Sequence, residues 1–83
     1  MDNNKVLKEQ MLETVANQLK SNDPPETKET YDRLRKEGYS DMDSRLLIAQ
    51  CVLYEIWAVM STQKPFNEER YVENLKRLPQ EPE

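Results

Sequence analysis

Between Asp41 and Ser61 the chain carries apolar side chains on almost every bearing of a helical wheel. That run constrains the fold more than any other feature. At about 100° per residue, Val59, Val52, Ile56, Ala49, Met60, Leu53, Leu46 and Trp57 form one broad sector. Leu47, Ala58, Cys51 and Ile48 cover much of the opposite side. A helix that is apolar nearly all round has to be covered nearly all round. The run therefore predicts the central rod of a small helical domain.

One glycine and five prolines mark where the wrapping helices start and stop. A first helix is expected over about residues 4–20, where Val6, Leu7, Met11, Leu12, Val15, Ala16 and Leu19 recur at three- and four-residue steps. A second is expected over 24–37, with Asp23 as its cap, Pro24 where a missing N–H costs nothing, and Glu26 at capping-box spacing. Acidic Asp23, Glu26 and Glu29 crowd its start, and Arg33, Arg35 and Lys36 its end, in line with the helix dipole. Gly38 falls where a left-handed cap residue belongs, and Ser40-Asp41-Met42-Asp43 is a second capping box that starts the rod at once. Asn67 caps a fourth helix over 68–78, with Phe66 and Tyr71 spaced as a hydrophobic staple. Tyr71, Val72, Leu75 and Leu78 form its inner stripe, and Pro79 ends it.

These signals describe one all-α domain over residues 1–79, followed by a flexible tail at 80–83. Three amphipathic helices wrap a mostly buried third. The short Gly38-Tyr39-Ser40 corner implies a small irregular (orthogonal) four-helix bundle rather than a regular up-and-down one.

The inventory argues against most chemistry. There is no histidine, so the commonest general base and metal ligand is missing, and one cysteine makes neither a disulfide framework nor a zinc site. Cys51 lies mid-helix among apolar neighbours and reads as an inert thiol. A single glycine cannot build a phosphate loop. No catalytic, cofactor-binding or metal-binding residue is assigned, and the chain is read as non-enzymatic. A net charge of −4 disfavours nucleic acid and anionic membrane. The most apolar stretch, Leu46 to Met60, is interrupted by Gln50 and Glu55 and is shorter than the roughly 20 residues of a membrane span. The expected location is cytoplasmic, without a membrane anchor.

Two features resist a purely structural reading. Glu55 has no basic residue three or four positions away, so it must reach water or meet a cation from another helix, with Arg33, Arg35, Lys64 and Arg70 as candidates. Failing those, it contacts a partner or ligand. Trp57, Gln50, Ser61 and Tyr54 share one narrow sector, the half-polar aromatic face of the rod. Trp and Tyr dominate binding hot spots, so the candidate partner-binding residues are Gln50, Tyr54, Glu55 and Trp57.

Three resemblances bear on function. Helix, Gly38-Tyr39-Ser40, helix resembles the corner of a DNA-binding helix-turn-helix, but the following helix begins Asp41-Met42-Asp43, which repels phosphate. The triplet also resembles the loop of ubiquitin-associated domains, although Glu37 stands where those carry methionine. More widely, Asp23-Pro24-Pro25-Glu26, Arg33-Leu34, Gly38-Tyr39-Ser40, Leu47-Ile48-Ala49, Glu55-Ile56-Trp57, Pro65-Phe66-Asn67 and Arg70-Tyr71 are similar to small bacterial all-helical domains of uncharacterised function. That resemblance implies the fold and a bacterial source, and no site residues. The expected role is protein–protein contact, with a homodimer as one form of it. A helix-turn-helix regulator is the alternative.

Overall fold

The computed structural model describes residues 3–83, with side chains from Lys5 onward. Four helices follow one another: α1 (Asn3–Ser21), α2 (Pro25–Lys36), α3 (Asp41–Thr62) and α4 (Glu68–Arg77). Each boundary lies within a residue or two of the sequence expectation. α3 packs against all three other helices, which makes it the central element. α2 also touches all three, while α1 and α4 approach each other through side chains. The two longest dimensions, 35 and 33 Å, are nearly equal. α3 alone, with 22 residues at about 1.5 Å each, spans one of them, so the helices cross rather than run side by side.

The α2–α3 corner is built as its residues dictate. Gly38 takes φ +103°, its N–H donates to the Arg35 carbonyl, and the Tyr39 N–H donates to the Leu34 carbonyl. This double bond pattern satisfies the last carbonyls of α2. Ser40 then caps α3, its hydroxyl accepting from the Asp43 N–H at 3.0 Å. Asn67 does the same for α4, accepting from the Arg70 N–H at 3.0 Å. The staple forms as an edge-on contact of the Phe66 and Tyr71 rings, 5.4 Å between centroids.

Behind the corner sits one core: Met11 and Val15 of α1, Leu34 of α2, Ile48, Ala49, Cys51 and Val52 of α3, and Tyr71 and Leu75 of α4 with the following Leu78. A polar knot closes one side of it. Buried Thr27 and Tyr71 both donate to Gln18 Oε1, each at 2.7 Å. The tyrosine hydroxyl lies inside the protein, where Gln18 reaches in to receive it. Burial pushes that phenol up to about 12 against the opposing pull of the Thr27 and Gln18 bonds.

Four expectations need correction. Asp23 does not cap α2: the helix starts at Pro25, Pro24 holds the cap position, and no side chain bonds there. The Asp23 N–H instead donates to the Gln18 carbonyl and so closes α1. The last residues are not a loose tail, because Asn74, buried in α4, exchanges hydrogen bonds with the Glu83 backbone and Arg77 pairs with the Glu83 carboxylate at 3.0 Å. α3 is longer than its apolar run and is long and apolar enough to cross a membrane by length and composition alone. Its middle nevertheless faces the protein core.

The fourth correction concerns coverage. α3 is sheathed on one side only: Ser44, Ile48, Ala49, Cys51, Val52, Glu55 and Ala58 are buried, while Met42, Leu53, Trp57 and Met60 stand in solvent. The wrapping helices are too polar to do more. α2 offers Leu34 and part of Tyr31 to the core, and the amino-terminal half of the α1 stripe, Val6 and Leu7, is itself exposed.

Gly38 provides a clean test of the corner. A β-carbon there would meet no atom within 4 Å, so any cost is conformational. Gly38→Ala is expected to lower unfolding free energy by about 1–2 kcal/mol in urea titrations followed by circular dichroism, and Gly38→Asn by less.

Candidate functional site

Glu55 is the residue on which the surface chemistry turns. It is fully buried, 0% exposed, on the α3 face that meets α4. Its carboxylate accepts three hydrogen bonds: from the Asn67 N–H at 2.9 Å, from Arg70 Nε at 2.6 Å and from an Arg70 terminal nitrogen at 2.9 Å. Of the four candidate cations, Arg70 is the partner. Arg33 does other work, donating to the Leu75 and Leu78 carbonyls at the end of α4. Burial would push the Glu55 carboxyl up, but the Arg70 guanidinium and the Asn67 N–H outweigh it and hold the group below the usual carboxylate range. The charge is thereby fixed in place, and it faces away from the solvent side of α3.

Arg70 passes the arrangement outward. Its side chain is 34% exposed, and its guanidinium lies 5.6 Å from the centroid of the Tyr54 ring. Tyr54 in turn packs against Trp57 at 6.0 Å between ring centroids. So the two sets of candidate residues are connected but not equivalent. Gln50, Tyr54 and Trp57 form the surface, and Glu55 positions it from beneath through Arg70.

The surface is a strip along the bare side of α3. Trp57, the one tryptophan of the chain, is 61% exposed, with Leu53 at 41% and Met60 at 76% beside it. Two shallow depressions flank the strip and share Gln50 and Leu53 as lining. One, of about 460 Å³, is bounded by Tyr54, Trp57, Glu81 and Pro82. The other, of about 400 Å³, lies against Leu7 and Met11 of α1. Sequence reasoning found the α3 sector but missed Leu7 and Pro82, because only tertiary packing brings them alongside it.

The one cysteine is buried. Burial, aided by the Glu55 charge, pushes the Cys51 thiol up to about 12, so almost none is thiolate near neutral pH. Among the described residues no three His, Cys, Asp or Glu side chains gather as a metal site. Comparison with protein-family models, curated proteins and solved structures finds no match to this chain. The resemblance to small bacterial helical domains is carried by the quoted residues alone.

The clamp predicts an unusual pH signature. In the wild type, the depressed Glu55 carboxyl contributes stability that is complete above the unfolded value of about 4.3 and is lost as pH falls through the folded one. In Arg70→Met, Glu55 stays buried without its cation, and burial lifts its carboxyl instead. That charge left unpaired should cost about 3 kcal/mol at neutral pH. The deficit relative to wild type should shrink as pH is lowered from 7 toward about 5. Urea denaturation across that range measures it, and a deficit that stays constant or grows would contradict the clamp.

Proposed function

We propose that this chain is a small non-enzymatic helical domain that acts through protein–protein contacts, with the bare strip of α3 as the contact surface. The observation that carries the reading is the exposure of Trp57 within a continuous apolar strip rather than in the core. Large apolar patches on soluble domains mark interaction sites, and Trp, Tyr and Arg are the residues that dominate them. Here all three stand together, pre-ordered by the Glu55–Arg70 pair.

The competing readings draw less support. A DNA-reading helix should present basic or amide groups, whereas α3 starts with Asp41 and Asp43 and exposes Leu53, Trp57 and Met60. A membrane span would strand the Glu55–Arg70 pair and lose the packing of three helices on α3. A cytoplasmic domain of the kind found in bacteria is the setting we favour, on the sequence resemblance and the absence of a disulfide framework from a sequence with one cysteine.

A photoreactive amino acid at Gln50, exposed in the middle of the strip, tests the role in the native cells. A discrete adduct is expected there and not from the same residue at Glu29 on α2. Equal labelling at the two positions would remove the reading.

A further inference from the structure

Resting on that reading, we infer that the occupant of the strip is a second copy of this chain, with the two α3 helices packed antiparallel about a twofold axis near Leu53. The spacing is the first argument. Among the exposed and half-exposed residues of α3, Leu46, Gln50, Leu53, Trp57 and Met60 line one edge at steps of four, three, four and three. That is the 3.5-residue period with which one helix seats along another.

The charges choose the direction. Asp43 stands exposed at the start of the seam and Lys64 just past its end. The acidic first turn of α3 complements its own dipole, whereas the last turn has no base, so the carboxyl end is left for a neighbour to complement. A parallel pair would stack Asp43 on Asp43 and Lys64 on Lys64. An antiparallel pair lays each Asp43 beside the partner's Lys64, and Leu46 over the partner's Met60. Gln50 then faces the partner's Trp57, where its carboxamide oxygen can accept the indole N–H that burial would otherwise leave unpaired. Leu53 meets its own counterpart on the axis. The interface is isologous and therefore closes as a dimer instead of growing into a filament.

Sedimentation equilibrium of the full chain, over a series reaching about 1 mM, decides the matter. The apparent mass should rise from 9.9 kDa to twice that value. Leu53→Glu sets two carboxylates against each other at the axis and should weaken association about 100-fold. Circular dichroism checks its fold, and Trp57→Gln replaces it if it unfolds. Asp43→Lys and Lys64→Glu should each weaken the dimer about three- to tenfold, and the double exchange should restore it. A chain that stays monomeric throughout overturns the inference, as does a dimer indifferent to Leu53→Glu. Failure of the double exchange to restore binding overturns the antiparallel arrangement. A monomer whose Gln50 probe still labels a different protein defeats this inference and leaves the proposed function standing.

Discussion

A single carboxylate placed inside the bundle fixes where its last helix lies. Glu55 receives the N–H of Asn67, the residue that caps α4, and the guanidinium of Arg70 one turn later. The apolar contacts of Tyr71, Leu75 and Leu78 with the core supply attraction but little direction, since burial of apolar surface is non-directional. The paired, bidentate geometry at Glu55 is directional. Sliding α4 by one turn would keep many apolar contacts and would strand a buried charge, which costs several kcal/mol. The exposed pairs Lys28–Asp32, Arg33–Glu37 and Lys76–Glu73 join residues three or four apart within one helix or its cap and carry no such information.

The same clamp connects interior to surface. Arg70 is shared between Glu55 and the face of Tyr54, and Tyr54 supports Trp57. A tryptophan held this way loses less freedom on binding than one on a loose helix, which lowers the ordering cost of association. The buried carboxylate and the proposed contact surface therefore meet at one arginine. At the other end of α4, Arg33 occupies the carbonyls of Leu75 and Leu78, and Asn74 gathers the chain end. Both ends of this ten-residue helix are tied by side chains.

What was legible in the sequence is what local chemistry decides. Gly38, Ser40, Asn67 and the Phe66–Tyr71 staple act within a few residues of themselves, and each took the expected place. Asp23 failed as a cap because α2 begins one residue later than expected, at Pro25, which puts Pro24 in the cap position and leaves the Asp23 N–H to close α1 on the Gln18 carbonyl. Arg33, Gln18 and Asn74 could not be assigned from spacing, since their partners lie 42, 53 and 9 positions away along the chain. For the candidate site, the wheel located Gln50, Tyr54 and Trp57 on one sector and marked Glu55 as anomalous. It could not say that Glu55 works beneath that surface, because the connection passes through α4.

Coverage of α3 is the point at which pattern and packing part, and the reason is quantity rather than placement. Only 36% of the chain is hydrophobic, and α3 holds a disproportionate share of it. α2 contributes Thr27 and Thr30 where a wrapping helix would need leucines, and the Thr27 hydroxyl is spent on Gln18 and Tyr71 instead of on covering the rod. A small domain with one strongly apolar helix and polar neighbours can bury one side of that helix and no more, because the area available to cover it scales with the apolar content of everything else. The residue pattern of the uncovered side is then free to be set by something outside the fold. Leu53, Trp57 and Met60 stand bare there because the rest of the chain has too little apolar surface to cover them.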